Sequence, residues 1–285
     1  MKKLLFVTFF FMIGHVYSQT IDGDVSSLSF QLIEKKIIDT AKVDIFYTLD
    51  FRKNPNKPDK ISHAQTFLQV GNHCRCFKDY NEFLSDSVND DCAVKSLSAM
   101  EGMMKYMSAL KRRNYYKTIL YGVQEDQLVR RHNIYPTIYE YSDSIPTFEW
   151  VITEKDSVIL DYKCTMATCH YRGRDYEAWF AEDISMPYGP DVFGGLPGLI
   201  MDVHDTQFHY HFRLNGLYPV EHLQLIYKRD GEKVVSSTRS RCRKIYKHSR
   251  EFPAQAMQQA FPNDKLTAED IAQIKPKSYN PMELK

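Results

Sequence analysis

Apolar and polar side chains alternate along several short stretches of the chain, and turn-forming residues separate these stretches. A period of two is typical of strands that bury one face. The alternation predicts a long hairpin whose strands cover residues 43–52 and 63–71, with a surface loop at Asn54–Pro58 between them. The same pattern predicts further strands over residues 115–151.

A second hairpin is predicted from Ile159 to Phe180, because turn residues at Arg172–Asp175 separate two apolar runs. Seven glycines and prolines then fall between Pro187 and Gly198, a density that neither a helix nor a central strand tolerates. This segment is predicted to be a shaped loop, after which Leu199–Val203 resumes an apolar strand. The predicted corner between the strands consists of Gly195, Leu196, Pro197, Gly198, Leu199 and Ile200.

One stretch has the three- and four-residue spacing of an amphipathic helix, which the pattern places over Ala93–Arg112 with Asp90 or Asp91 as its cap. Its four methionines are expected to fill the core, because flexible thioethers pack well into irregular gaps. The alternative is a copper site made of these thioethers.

Basic residues recur at almost every other position from Gly231 to Arg250. We interpret this run as a solvated edge strand that charge protects from aggregation. The alternative is a site for an anionic ligand or a phospholipid head group. Thr267–Asp270 resembles the capped start of a short helix, and residues from about 262 onward are expected to form a C-terminal tail.

These elements predict a mainly β protein with a few helices, an α+β chain built on a curved antiparallel sheet with an apolar concave face. Aromatic residues make up 13% of the chain, which suits a strongly curved sheet. No Gly/Ser-rich or proline-rich linker divides the sequence, so residues 19–285 are predicted to form a single domain.

The first 18 residues have the charged, apolar and small-residue parts of a secretory signal, with cleavage expected after Ser18. The apolar run of ten residues is shorter than the roughly 20 that a membrane-spanning helix needs. Loss of Lys2 and Lys3 leaves 35 basic and 36 acidic residues, a balance that does not favour nucleic-acid binding. We therefore expect an exported protein that is not integral to a membrane.

An even number of cysteines in an exported chain favours disulfides. The six are Cys74, Cys76, Cys92, Cys164, Cys169 and Cys242. Cys164 and Cys169 are an odd number of residues apart, so on one regular strand they face opposite ways and cannot bridge each other. Each is expected to have another partner or to remain a buried thiol.

Histidines and an aspartate cluster directly after the corner. With a two-residue hairpin tip at Asp205-Thr206, strand alternation would place four ligand-type side chains on one face. They are Asp202, His204, His209 and His211. Three imidazoles and a carboxylate are plausible ligands for zinc or copper. The simpler interpretation is that the histidines line the solvated face while the other face packs on the core.

The hexapeptide at residues 195–200 resembles the signature of the GLPGLI family of secreted bacterial proteins. Further blocks resemble the family at Leu68–Gly71, Tyr162–Cys164, Gly173-Arg174, Ala178–Phe180 and Asn280–Leu284. The resemblance covers roughly residues 65–284. It implies a periplasmic or secreted envelope protein of Bacteroidetes-like bacteria, and it implies no particular activity.

Three functional hypotheses follow. The first is a non-catalytic carrier or binding module, similar by analogy to the half-barrels of periplasmic lipoprotein carriers, with an apolar or peptide ligand on the concave face and the basic run facing an anionic group. The second is a zinc or copper protein, and the third is an accessory partner of an outer-membrane transporter. No catalytic residue is predicted, because the common hydrolase, metalloprotease and nucleotide-binding motifs are absent.

Overall fold

The computed structural model describes residues 29–262 and 266–285, so the predicted leader lies outside the described residues. A large, open and curved sheet dominates these residues, as the alternating pattern predicts. Its strands are β1 (Lys35–Phe51), β2 (Ser62–Gly71), β3 (Arg75–Asp79), β4 (Lys117–Gln124), β5 (Gln127–Ile134), β6 (Thr137–Ser144), β7 (Val151–Ile159), β8 (Tyr162–Tyr171), β9 (Arg174–Ala181), β10 (Leu199–Asp205), β11 (Tyr210–Pro219), β12 (Leu225–Arg229) and β13 (Val234–Ser236).

The strand order is β13-β6-β5-β4-β3-β2-β1-β11-β10-β9-β8-β7, with β12 paired to the start of β1. Neighbouring strands run antiparallel except β13, which runs parallel to β6. Pairing along β1 shifts register at Ile37/Asp39, Ala41/Val43 and Phe46/Tyr47. Such bulges bend a strand and increase its twist, which helps this sheet to curve.

The described helices are α1 (Tyr80–Val94), α2 (Ala99–Leu110), α3 (Arg239–Glu251), α4 (Pro253–Ala260) and α5 (Ala268–Gln273). The predicted single helix over residues 93–112 is wrong at its start, because Ser98 caps a new helix there. The expectation that its methionines fill the core is also wrong, since Met100 and Met104 are 66% and 64% exposed. The cap predicted at Thr267 is confirmed, with Asp270 completing a capping box.

The basic run is not an edge strand. Most of it forms helix α3, whose first turn is capped by the Thr238 hydroxyl. Only the three residues of β13, which precede α3, lie at the sheet edge. The alternation of basic residues breaks at Arg243-Lys244, and from there the three-residue steps to Lys247 and Arg250 fit one side of a helix.

The shaped loop predicted around residues 187–198 lies across the sheet and joins its two halves. The Tyr121 hydroxyl on β4 donates to the Asp191 carbonyl in the loop at 2.9 Å, and just beyond the loop the Tyr47 hydroxyl on β1 donates to the Ile200 carbonyl on β10 at 2.8 Å. From the other half, the Trp150 indole donates to the Gly194 carbonyl at 2.9 Å. The main core therefore lies between the sheet and this loop, which contributes Val192, Phe193 and Leu196 to it.

The C-terminal residues are not a loose tail. Met282 is buried in the main core, and Glu283 is 7% exposed. Arg174 holds this segment, because its guanidinium donates to the Asn280 side chain and to the Pro281 and Met282 carbonyls at 2.8–3.0 Å. The family-like blocks at residues 173–174 and 280–284 thus meet at one structural junction.

The expected disulfides are absent, and all six cysteines are buried thiols. Cys164 and Cys169 were expected either to bond other cysteines or to remain buried thiols, and they are buried thiols. Cys76 packs in a smaller core cluster with Leu120 and Val129, apart from the main core that holds Cys164 and Cys169.

Within residues 29–262 and 266–285, no helix combines the length and apolar character needed to cross a lipid bilayer.

Candidate functional site

The residues of the hexapeptide corner have a structural role. Leu196, Leu199 and Ile200 are fully buried in the main core. A side chain at Gly198 would place its Cβ 2.0 Å from the Ala181 carbonyl oxygen, so only glycine fits there. Gly195 has a φ of +83°, a backbone conformation that favours glycine. The corner is thus explained by packing and backbone geometry.

A cavity of about 240 Å³ lies between the sheet and the C-terminal third of the chain. Strands β1, β4, β5 and β6 and the start of β11 form one wall, while α3, α4 and residues 277–283 form the other. A ring contact joins the two walls, because the Tyr246 ring on α3 lies 4.6 Å from the His132 ring on β5. Within its own wall, the Tyr246 ring lies 5.8 Å from the Tyr279 ring. We call this cavity the pocket.

Aromatic rings and cationic groups are the main functional groups that line the pocket. The aromatic residues that line it are Phe51, Tyr115, Tyr116, Tyr135, Tyr141, Tyr210, Tyr246, Phe261 and Tyr279. The cations that line it are Lys53, Lys117, Arg130, Arg131, Arg243, Arg250 and Lys277, against one carboxylate among the described residues, Glu283. Burial, with Lys117 and Arg130 nearby, lowers the pKa of His132 to about 3, so this imidazole stays neutral.

At one end of the pocket, Glu283 is surrounded by arginines. Its carboxylate oxygens lie 2.6–2.8 Å from the guanidinium nitrogens of Arg130, Arg172 and Arg239. Burial alone would raise the pKa of Glu283, but Arg130, Lys117 and Arg172 outweigh it and lower the pKa to about 2. We call Glu283 and these three arginines the Glu283 cluster.

Elsewhere along the pocket wall, Lys53, Arg250 and Lys277 lie near one another, and we call them the Lys277 cluster. Burial, with Arg250 and Lys53 nearby, lowers the pKa of Lys277 to about 8. Burial and Arg250 also lower the pKa of Lys53. No carboxylate in the described part of the chain forms an ion pair with any of the three, which separates this cluster from the first.

Three of the four predicted metal ligands come together on β10 and β11. Asp202, His204 and His211 each offer a ligand atom, and these atoms lie within 4.8 Å of one another. Asp202 Oδ1 lies 3.2 Å from His204 Nδ1, and Asp202 Oδ2 lies 2.7 Å from His211 Nε2. Burial would raise the pKa of Asp202, but hydrogen bonds from the two histidines outweigh it and lower the pKa.

His209 does not join this group, because the predicted hairpin tip is wrong. His204 pairs with His211 and Asp202 with Arg213, so the connection between the strands has four residues, not two. Asp205 closes this longer turn, its carboxylate accepting from the Tyr210 amide at 2.7 Å. His209 Nδ1 instead lies 2.7 Å from an Arg174 nitrogen; since arginine only donates, this imidazole nitrogen accepts.

The structure adds residues that sequence patterns do not bring together. Glu177 on β9 pairs in register with His204, and its carboxylate lies 3.5 Å from His204 Nε2. Phe208, in the turn between β10 and β11, is 46% exposed and stacks on the His204 ring at 4.2 Å. Lys53 and Lys277 approach each other from opposite ends of the chain, and no local signal marks that approach.

Residues 171–202 match a family described as "Protein of unknown function (Porph_ging)". No curated protein matches the chain. Two crystal structures of PNGF-II are similar in fold, with 13% and 12% identity and TM-scores of 0.43 and 0.45. They cover 69% and 70% of this chain, which spans only 31% of the PNGF-II chains. An uncharacterized conserved protein from Thermus thermophilus is 5% identical, with a TM-score of 0.37, over 69% of this chain and 91% of its own.

Proposed function

We propose that this protein is a non-catalytic binding module that holds a small, largely apolar ligand in the pocket. The observation that carries the proposal is the cavity itself, about 240 Å³ in volume and lined by aromatic rings from both walls. Ligand sites in proteins are concave and mostly apolar, with a few polar groups that fix the ligand's orientation. Export to the cell envelope is part of the proposal, and the leader-like residues 1–18 and the GLPGLI resemblance support it.

The volume of the pocket limits the size of the ligand. The cavity has a volume of about 240 Å³. This volume suits a single aromatic ring or a short acyl group, or the last residue of a peptide. A lipoprotein's acyl chains would exceed it, so we propose a smaller ligand than those of the lipoprotein carriers.

A cavity-filling variant tests this proposal. Ala256 on α4 lines the pocket, whereas its neighbour Gln255 on the same helix is exposed and does not line it. Calorimetric titration with a panel of small aromatic and short-chain acids and amides should give saturable binding to the wild type. Ala256→Trp should abolish this binding, and Gln255→Trp should retain it. No binding by any panel member, or equal binding by the two variants, would overturn the proposal.

We propose metal binding as a second candidate function, because Asp202, His204 and His211 converge on one point. Two imidazoles and a carboxylate are a donor set that suits zinc or copper. The two strands hold these side chains through the cross-strand pair His204–His211, so little rearrangement is needed to bring them together.

The histidines offer a matched pair of variants for zinc titration. His211→Ala should remove zinc binding, whereas His209→Ala should leave it unchanged, since His209 is engaged by Arg174. Calorimetry of chelator-stripped protein at pH 7.5 measures both. Failure of the wild type to bind zinc below about 10 µM would exclude a structural zinc site, because such sites bind with apparent energies of about 10–16 kcal/mol.

A further inference from the structure

The cations of the pocket differ in the groups that meet their charge. Arg130 is paired with Glu283, and Arg131 with Glu140 and Glu232. Arg243 donates to the Leu284 carbonyl at 2.8 Å, and Lys117 lies close enough to Glu283 to lower the pKa of that carboxyl. The Lys277 cluster has no such pairing among the described carboxylates, and its members contact neutral groups. Lys53 Nζ donates to the Asn114 side-chain oxygen at 2.6 Å, and Arg250 Nε donates to the Ser278 carbonyl at 3.1 Å.

The backbone fixes the Lys277 cluster in place. The Lys277 amide donates to the Arg250 carbonyl at 2.7 Å, which ties the C-terminal segment to the end of α3. On the opposite wall, the Arg52 carbonyl accepts from the Asn280 side-chain amide at 2.7 Å, so Lys53 is held beside the same segment. The half-buried Arg250 and Lys277 and the exposed Lys53 therefore bring like charges together, which is unfavourable unless an anion is bound there.

We propose that the ligand carries a carboxylate, which the Lys277 cluster binds while the apolar body of the ligand enters the aromatic part of the pocket. This inference rests on the proposed function, since it names the chemical class of ligand for the same pocket. The pocket volume makes the ligand a small amphipathic acid. A free organic acid and the C-terminal residue of a peptide share this chemistry.

Paired acids and amides test the charge separately from the apolar contacts. The probes are 3-phenylpropionate with 3-phenylpropanamide, and N-acetylphenylalanine with its amide, the second pair standing for a peptide C-terminus. Calorimetric titration of the full chain at pH 7 should show that an acid binds about tenfold or more tightly than its amide, as expected for a charge-assisted hydrogen bond. Whichever pair binds better identifies the source of the acid.

Single substitutions show which cations produce the preference for the acid over the amide. Lys277→Gln and Arg250→Gln should each reduce the acid's advantage to within about threefold, whereas Lys275→Gln, an exposed neighbour, should leave it unchanged. Equal binding of acid and amide to the wild type, with both lost in Ala256→Trp, would overturn the anion inference and leave the pocket proposal standing. No binding of any probe would overturn both. A preference for the acid that survives both Lys277→Gln and Arg250→Gln would place the anion elsewhere and so contradict the inference.

Discussion

Two groups of cations contact the same C-terminal segment, and they differ in how their charge is compensated. In the Glu283 cluster, three guanidiniums surround one buried carboxylate at 2.6–2.8 Å, and Asp143 lies 3.2 Å from Arg172. In the Lys277 cluster, two lysines and an arginine lie together along the pocket, and the Lys53 and Arg250 side chains donate to neutral oxygens.

The difference separates charges that build the fold from charges placed for another molecule. A buried carboxylate with several hydrogen-bonded arginines holds the chain end on the sheet, and removing it would leave the buried Arg130 with Asp143, 3.8 Å away, as its remaining ion-pair partner in the described chain. Cations without a carboxylate gain nothing for the folded state and make it less stable by mutual repulsion. Variants in the first cluster should therefore change stability, and variants in the second should change ligand binding.

The largest expected effect is that of Glu283→Gln. It should lower the free energy of unfolding by about 3–5 kcal/mol, because it leaves three arginines around a neutral group. Glu154→Gln, at an exposed position on β7, should change it by less than about 0.5 kcal/mol. Urea unfolding of both variants measures the contrast. Similar stability of the two would show that the Glu283 cluster does not hold the chain end.

Acid titration tests the same cluster without changing its size. The folded-state pKa of Glu283, about 2, is below the ordinary value of 4.5, so the stability it contributes is present above pH 4.5 and is lost as the pH falls toward 2. The wild type should lose its advantage over Glu283→Gln across this window. A stability difference that stays constant from pH 5 to pH 2.5 would contradict the assigned charge state.

The hexapeptide corner should behave like the Glu283 cluster and not like the pocket. Gly198→Val should destabilise the fold by about 1–3 kcal/mol or more, because its Cβ would overlap the Ala181 carbonyl. Gly195→Val should cost about 1–2 kcal/mol through backbone strain alone, since nothing lies within 4 Å of a Cβ there. Thermal unfolding ranks the two. Loss of a ligand with no change in melting temperature would mean that the corner is a binding surface.

Lys277→Gln should have the smallest effect on stability, changing it by less than about 1 kcal/mol or raising it slightly. The folded-state pKa of Lys277, about 8, is below 10.5, so the folded protein binds fewer protons than the unfolded chain between these values. Its stability relative to Lys277→Gln should therefore rise as the pH increases from 8 to 10. Unfolding curves of both proteins at matched pH values check the sign. A fall over this range would mean that Lys277 is already paired.

Local pattern predicts most of the strands, because alternation and turn chemistry act over a few residues, but it misplaces the β10–β11 turn and predicts a strand where α3 forms. The sequence pattern does not predict helix α1, and the reason is physical. It buries Asn81, Ser85 and Asp86, so its inward face lacks the apolar period that marks a helix. Asp86 accepts from the Tyr227 hydroxyl at 2.6 Å, a contact 141 residues away in sequence. Polar side chains that are buried and hydrogen-bonded to distant residues produce no apolar periodicity in the local sequence.

The candidate sites show the same limit. The histidine group depends on the register of β10 and β11, and two extra residues in the turn removed His209 from it. Glu177 lies beside His204 because β9 pairs with β10, a pairing that spacing along the chain does not reveal. The Lys277 cluster joins the end of β1, helix α3 and the C-terminal segment, so only the folded chain brings its charges together.

Proton uptake on binding of 3-phenylpropionate measures most directly whether the Lys277 cluster is built for an anion. At pH 8 a Lys277 with a pKa of about 8 is half protonated, and a bound carboxylate raises that pKa, so binding should take up about half a proton. Calorimetry in buffers of different ionisation enthalpy gives this number. We predict about 0.5 protons for the wild type and none for Lys277→Gln. Binding of the acid to the wild type without proton uptake would contradict the account.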